Sequence, residues 1–347
     1  MKQRVWYADI LRILAIGMVV LIHVASKDFH RYEIHSFEWQ FLNAVNGFSR
    51  VSVPLFFMVS GIFFLDPDRK LSIKKLYTKN IWRLIRSFLF WSVVYVLFDK
   101  WLNTEPLLEE KVAQTTWQII QGNFHLWFLY RLAEVYVMVP IIKPLVKEKK
   151  MMLYFLAFSL FVGFLVPAYK QFPIRSTGTI VNNGITLDIT IGYAGYMVLG
   201  YALHRYELPL KWRKVIYWLG AAGFLVTIGG TSLVSLQQGE QYGLFYEYLT
   251  PNVLLSSMAV FLFIKQAFQH FQPNNWQERT IQILSQYSFG VYLVHVLVRN
   301  AMWKAGINTT FASPVISVPL LALVIGTLSL ITTVLLKKIP YLEKVVS

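Results

Sequence analysis

The last long apolar run of the chain, residues 314–336, reads PVISVPLLALVIGTLSLITTVLL and contains no charged residue. A helix that crosses a bilayer needs about 20 consecutive, mostly apolar residues, and this run meets that requirement. Lys337 and Lys338 follow it directly, which is the basic flank typical of the cytoplasmic end of a membrane helix. Apolar runs of about 18 residues or more recur along the whole chain. The sequence therefore predicts an all-α integral membrane protein.

The composition agrees with this prediction. Of the 347 residues, 56% are hydrophobic and only 15% are charged, and the mean hydropathy is +0.48. Soluble domains carry about 25% charged residues. The segments between the apolar runs are too short for a soluble domain, so we expect one membrane domain over residues 1–347. The absence of cysteine excludes disulfides, thiol nucleophiles and cysteine metal sites.

Ten segments are predicted to span the membrane, with both termini in the cytoplasm. They are Ala8–Ser26, Asn43–Leu65, Ile81–Leu102, Phe124–Val146, Met151–Ala168, Leu187–His204, Val215–Leu236, Tyr248–Phe268, Thr280–Trp303 and Pro314–Leu336. When lysines and arginines near the end of a span are counted on the side of that end, 20 are cytoplasmic and 8 are outside, as the positive-inside rule requires. Five further arginines lie within the spans. The net charge of +15 is thereby explained, and we do not expect nucleic acid as a partner.

The first span contains two ionisable residues of functional interest, Arg12 and His23. They are eleven residues apart, which is close to three helical turns, so they share one face at a distance of about 16 Å along the axis. One interpretation is that each side chain extends to its nearer membrane interface. The other is a polar stripe along a cavity, in which His23 acts as a general base and Arg12 binds an anion or a developing oxyanion. The charged residues and the missing cleavage site also argue against a signal peptide.

Arg83 and Arg86 form a second feature, at the start of the third span. Residues three apart lie on one face of a helix. The pair is either an ordinary basic flank or a cytoplasmic pocket for a multiply phosphorylated ligand, because guanidinium groups bind phosphate well. In the fourth span, Arg131 and Glu134 have the same spacing and are interpreted as a mutually neutralising pair.

Further candidates lie near the outer ends of other spans. Arg50 could extend to the interface, and Trp127 fits an interfacial aromatic belt, which does not explain the neighbouring His125. Tyr292 and His295 share a helix face within an apolar stretch, where His295 is either a buried structural residue or a site residue. No His/Asp/Glu cluster has the spacing of metal ligands, so no metal is expected. Glycine-rich phosphate loops and hydrolase nucleophile motifs are missing as well.

In combination, these residues resemble the acyltransferase-3 family of membrane acyltransferases. The matching segments are Asp9-Ile10-Leu11-Arg12 with His23, Ser49–Gly61, the Arg83/Arg86 pair, His125-Leu126-Trp127-Phe128 and Ser288–His295. Each motif is short, but their order and their spread over nearly the whole chain are specific. The chain is most similar to the stand-alone members that O-acetylate enterobacterial common antigen. It departs from the family pattern at Arg131 and Glu134, where relatives tend to be apolar.

The resemblance implies a function and a set of site residues. Acyl-CoA, in the first place acetyl-CoA, is the expected co-substrate, with no permanently bound cofactor. The expected acceptor is a hydroxyl of a cell-envelope polysaccharide or lipid-linked glycan, and the expected location is the cell membrane. The implied catalytic residues are His23 and Arg12, and the implied donor-binding residues are Arg83 and Arg86. Acceptor or supporting roles fall to Asp9, Arg50, Ser60, His125, Trp127, Tyr292 and His295.

The rival hypothesis is a transporter or flippase of an envelope glycan precursor or acyl group. In it the same polar stripe would form a translocation pathway. Many secondary transporters contain a matching pair of Gly/Pro-broken helices in their two halves, and this chain has no such pair.

Overall fold

A computed structural model describes residues 4–103, 112–171 and 188–346. Within these ranges the chain forms helices and connecting turns, and it contains no strand. The helices are α1 Trp6–Arg31, α2 Phe37–Phe64, α3 Ile73–Leu102, α4 Val112–Gln121, α5 Phe124–Leu145, α6 Lys149–Lys170, α7 Asp188–Arg205, α8 Leu210–Gln238, α9 Leu244–Phe268, α10 Asn275–Lys304, α11 Pro314–Lys337 and α12 Glu343–Val346.

The predicted fold class is confirmed. Over the described part of the chain, nine helices are long and apolar enough to cross a membrane, namely α1, α2, α3, α5, α6, α8, α9, α10 and α11. The predicted sixth span corresponds to α7, and its first residue, Leu187, lies outside the described residues. The count of ten spans and the cytoplasmic position of both termini remain predictions.

Two local features were not predicted from the sequence. The second span is broken at Arg50–Val51, where a turn separates the α-helices Phe37–Ser49 and Ser52–Phe64. The physical cause is Pro54, which has no N–H to donate to the carbonyl of Arg50 and whose ring crowds that carbonyl. The second feature is α4, a helix too short to span a bilayer, in a segment that we predicted as an outer loop.

The described residues divide into two compact units. Unit 1 comprises the described parts of Met1–Lys70 and Met138–Ile281, and unit 2 those of Leu71–Val137 and Gln282–Ser347. The prediction of one membrane domain over the whole chain remains a prediction.

Unit 1 is built on a close backbone contact between α2 and α7. A Cβ atom on Gly61 would lie 1.9 Å from the carbonyl oxygen of Met197, and one on Gly200 would lie 2.1 Å from that of Met58. Small residues allow membrane helices to approach this closely, and van der Waals packing then holds them together. The two glycines therefore allow α2 to pack directly against α7, which fixes the position of α2 and its site residues within unit 1.

We expect Gly61→Ala to lower the apparent melting temperature of the purified protein, because the new methyl group meets backbone that cannot rotate away. Overpacking costs about 1–3 kcal/mol, and contact with backbone places this site at the upper end. The matched control is Gly17→Ala, since nothing lies within 4 Å of a Cβ at Gly17. Thermal unfolding followed by tryptophan fluorescence measures both variants. Equal melting temperatures for the two would contradict this account of the α2–α7 contact.

Unit 2 contains α3, α4, the first part of α5, α10 from Gln282 onward, α11 and the short α12. The hydroxyl of Tyr95 in α3 donates to the carbonyl of Leu293 in α10 at 2.8 Å. Helix α12 is held by α3, since Trp91 Nε1 donates to the carbonyl of Val345 at 3.0 Å. Val345 and Val346 are both buried. These contacts join α3, α10 and α12 within unit 2.

Candidate functional site

The N-terminal part of α1 carries an ion-pair cluster around Asp9. This carboxylate is 5% exposed and accepts from Arg4 Nε at 2.6 Å and from Arg12 Nη1 at 3.1 Å. The guanidinium of Arg12 also stacks over the ring of Phe63 in α2, 4.7 Å from its centroid. Asp9 thus orients the guanidinium of Arg12, which is held by groups from two helices, α1 and α2.

Arg69 joins the same aromatic ring, which the sequence did not indicate. Its guanidinium lies 5.1 Å from the Phe63 centroid and forms an ion pair with Asp66 at 3.2 Å. The surrounding loop is fixed by the buried Lys143, whose Nζ donates to the carbonyls of Asp66 at 2.7 Å and Arg69 at 2.6 Å. In the sequence, Arg69 is one of several basic residues that precede the predicted third span, and its separation from Arg12 gives no sign that both contact Phe63.

His23 is half-buried and has a defined tautomer. Its Nδ1 lies 2.8 Å from the carbonyl oxygen of Val19, one turn earlier in α1. Because a carbonyl oxygen only accepts, Nδ1 carries the proton. In the neutral imidazole the lone pair is then on Nε2, which is the form that a general base requires.

Arg50 is placed where α2 breaks, and aromatic rings surround its head group. Its guanidinium lies 4.4 Å from the Tyr246 ring centroid and 5.6 Å from that of Tyr248. Nη2 donates to Asn46 Oδ1 at 3.2 Å, and the same oxygen lies 3.1 Å from Ser26 Oγ, one turn beyond His23 in α1. These contacts favour a fixed position within unit 1 over simple extension to the interface. The sequence did not indicate Asn46, Tyr246 or Tyr248 as its partners.

Ser60 makes a local contact in the structure. Its hydroxyl donates to the carbonyl of Phe56 in its own helix at 2.9 Å. This is the usual bond of a serine to the preceding turn of a helix.

Unit 2 brings His125, Tyr292 and His295 together. The hydroxyl of Tyr292 donates to the backbone carbonyl of His125 at 2.5 Å, and His295 Nδ1 donates to the carbonyl of Tyr292 at 2.7 Å. The rings of His125 and His295 are 5.4 Å apart between centroids, and both residues are almost fully buried. Trp127 lies beside this cluster along the chain, with its ring 6.5 Å from that of Phe128.

A chain of polar contacts leads from His125 to the end of α3. Asn123 Nδ2 lies 3.4 Å from Asp99 Oδ2, and Asn123 Oδ1 lies 3.0 Å from His125 Nδ1. An ionised carboxylate only accepts, so the NH₂ group of Asn123 faces Asp99 and its carbonyl oxygen faces His125. Nδ1 of His125 therefore carries the proton, as it does in His23 and His295.

Arg83 and Arg86 are not equivalent, although the sequence treats them as a pair. The guanidinium of Arg83 lies 5.3 Å from the ring centroid of Phe289 in α10. Arg86 Nη2 instead donates to the carbonyl oxygen of Lys344 in α12 at 2.7 Å. Arg86 therefore has a structural role in holding α12, in addition to the predicted role in donor binding.

The predicted neutralisation of Arg131 by Glu134 is confirmed. Arg131 Nη1 lies 2.9 Å from Oε1 and 2.8 Å from Oε2 of Glu134, and each side chain is about one-third exposed, at 33% and 39%. A paired arginine and carboxylate of this kind lowers the cost of placing two charges in an apolar helix.

The predicted site residues thus form two groups. Unit 1 holds Asp9, Arg12, His23, Arg50 and Ser60, and unit 2 holds Arg83, Arg86, His125, Trp127, Tyr292 and His295. A family model described as an acyltransferase domain matches residues 5–338, a range that includes both groups. Neither the curated proteins nor the solved structures contain a match to this chain. The narrower similarity to members that modify enterobacterial common antigen therefore stays a prediction.

Proposed function

Because the chain belongs to the acyltransferase-3 family of membrane acyltransferases, we propose that it is an O-acyltransferase that modifies a cell-envelope glycan. It takes the acyl group, in the first place acetyl, from acyl-CoA at the cytoplasmic face of the cell membrane. It transfers that group to a hydroxyl of an envelope polysaccharide or lipid-linked glycan on the outer side. The observation that carries this proposal is the arrangement of Arg12 and His23 on α1.

Arg12 and His23 are suited to different parts of such a reaction. The two residues are about 16 Å apart along the helix axis, so their side chains cannot both contact the same reacting atom. Arg12 lies toward the cytoplasmic end, where Asp9 and Phe63 hold its cation in place to receive a polar or anionic part of the donor. His23, with its lone pair on Nε2, lies toward the outer end, where it meets the acceptor.

The donor's charged end remains at the cytoplasmic face, because phosphates do not enter hydrocarbon. Arg83 and Arg86 follow the basic segment 69–79, which extends into the first turns of α3, and they provide guanidinium groups for these phosphates. The uncharged pantetheine arm then carries the thioester into the membrane domain, past Arg12. No permanently bound cofactor is needed for this transfer.

The reaction itself is an acyl transfer from sulfur to oxygen. His23 Nε2 removes the proton of the acceptor hydroxyl, whose oxygen attacks the thioester carbonyl. The carbon–sulfur bond then breaks, and the thiolate of CoA leaves and takes up a proton. In a second version, His23 Nε2 attacks the thioester carbonyl, the carbon–sulfur bond breaks and the CoA thiolate leaves. The acceptor hydroxyl then attacks the acyl-histidine, the carbon–nitrogen bond breaks, and the hydroxyl proton passes to the CoA thiolate or to solvent.

The proposal is tested with purified protein in lipid nanodiscs, acetyl-CoA and an envelope glycan fraction. We expect glycan-dependent release of the CoA thiol, and transfer of a radiolabelled acetyl group to the glycan in an alkali-labile ester. The His23→Gln protein is the matched control. A flippase would move the glycan without releasing thiol, so thiol release no faster than in the control would contradict the proposal. A labelled histidine after acid quenching would distinguish the second version from the first.

A further inference from the structure

Unit 2 contains a polar cavity of about 340 Å³ between the end of α3 and the helix α4. Its polar lining residues are Asp99, Lys100, Gln118, Gln121 and Asn123, and Phe124 adds an aromatic ring. Tyr95 also lines the cavity, and its hydroxyl donates to the carbonyl of Leu293 in α10. Ligand cavities measure about 300–1,000 Å³, so this one is of a size for a single small ring rather than a long chain.

The charge pattern of the sequence places this cavity on the outer side of the membrane. The basic residues Lys74, Lys75 and Lys79 lie at the opposite, N-terminal end of α3. Helix α5, whose first residue Phe124 lines the cavity, likewise has Lys143 in its last turn, and Lys147 follows its end. Basic flanks mark the cytoplasmic side, so the other ends of both helices, and the cavity between α3 and α4, face outward.

The lining groups match the chemistry of a sugar. A sugar hydroxyl both donates and accepts hydrogen bonds, and the cavity offers a carboxylate acceptor at Asp99 and carboxamides that do both at Gln118 and Gln121. Lys100 is 4% exposed, and its Nζ lies 3.4 Å from Thr115 Oγ1 of α4. This contact holds the ammonium group, which can donate hydrogen bonds to a sugar, in place. Phe124 is 57% exposed and presents an apolar ring at the rim, against which the C–H face of a sugar can pack.

The cavity is also connected to the histidine cluster of unit 2. Asn123 lines the cavity and contacts both Asp99 and His125. A ligand that replaces or strengthens the Asp99–Asn123 contact would therefore act on the orientation of the His125 ring. This is what joins the cavity to the predicted site residues rather than leaving it an isolated surface feature.

We infer that this cavity is a carbohydrate subsite that binds one sugar ring of the acceptor through its hydroxyl groups. That the bound sugar belongs to the acceptor rests on the proposed function, whereas the lining chemistry supports carbohydrate binding by itself. It names a substrate-binding surface on α3 and α4, in a segment that the family motifs do not include.

The absence of cysteine from the chain allows a direct test. Gln121 is exposed at the cavity, and Gln114 is exposed on the same helix but does not line it. We expect both Gln121→Cys and Gln114→Cys to react with a membrane-impermeant maleimide added outside intact cells. In nanodiscs, a mixture of methyl glycosides of glucose, galactose, mannose and N-acetylglucosamine at millimolar concentration should slow labelling of the Gln121→Cys variant several-fold. Labelling of the Gln114→Cys variant should not change.

The labelling needs no turnover, so its outcome is separable from that of the transfer assay. Equal labelling of the Gln121→Cys variant with and without the glycosides would overturn the subsite, even if the protein transfers acetyl groups. Labelling only from the cytoplasmic side would overturn it as well. In the transfer assay, Gln118→Ala should raise the KM for the glycan about tenfold and leave the KM for acetyl-CoA unchanged. An unchanged KM for the glycan would count against the subsite in the same way.

Discussion

Replacing His23 by glutamine is expected to lower acyl transfer by at least about two orders of magnitude, because general-base catalysis contributes about 10²–10⁴-fold. Glutamine is close to histidine in reach and can still donate a hydrogen bond to the Val19 carbonyl, which accepts from Nδ1 at 2.8 Å in the parent. It cannot take up a proton at neutral pH, because the amide oxygen is not basic. The substitution therefore keeps the local structure and removes only the base or nucleophile.

The measurement separates binding from chemistry. Expression, melting temperature and acyl-CoA binding of His23→Gln should be close to those of the parent, while glycan acylation falls. His295→Gln is the internal control, since His295 is deeply buried and also donates to a backbone carbonyl. We expect a smaller effect there. If His23→Gln keeps most of its transfer activity and His295→Gln loses it, the base belongs to α10 and not to α1.

Arg83→Ala is expected to raise the KM for acyl-CoA about ten- to a hundredfold, because a lost charge-assisted hydrogen bond costs about 1.5–3 kcal/mol. Arg83 is the cleaner of the two arginines to test, since its guanidinium contacts the side-chain ring of Phe289. Arg86→Ala removes a hydrogen bond to the carbonyl of Lys344 as well. We therefore expect Arg86→Ala to lower the melting temperature in addition to any effect on KM.

Lys79→Ala is the matched control for Arg83→Ala. Lys79 is exposed, belongs to the basic segment 69–79, and lies one helical turn before Arg83. If these residues serve only as topology signals, both variants bind acyl-CoA like the parent, and the donor phosphates are held elsewhere. A raised KM for Arg83→Ala alone supports a donor site on α3.

The fold class could be predicted from the sequence because a bilayer selects for properties that are local. The uncharged run 314–336 and the basic residues after it predict a membrane helix without any knowledge of its neighbours. The neutralising contact of Arg131 and Glu134 was predictable for the same reason, since residues three apart meet on one helix face. The tautomer of His23 is likewise set within one turn of α1.

Two local features of the fold, the break in α2 and the helix α4, were not predicted from the sequence. Pro54 indicates a break one turn earlier, yet the apolar character of residues 43–65 favours one continuous helix. Helix α4 is too short for the length criterion that identifies a span, so its segment was interpreted as a loop.

The sequence by itself determined the class of membrane protein, the long apolar helices and the chemical character of the candidate residues, because hydropathy and charge are properties of single segments. Only the tertiary structure decided which residues meet. Tyr292 bonds to the His125 carbonyl across a separation of 167 residues, and Arg86 bonds to Lys344 across 258. The aromatic rings around Arg50 also come from a distant segment of the chain, and the polar cavity forms where the end of α3 packs against α4. The hydrophobic periodicity of the sequence does not predict such contacts, because they depend on how the helices pack and not on how each helix forms.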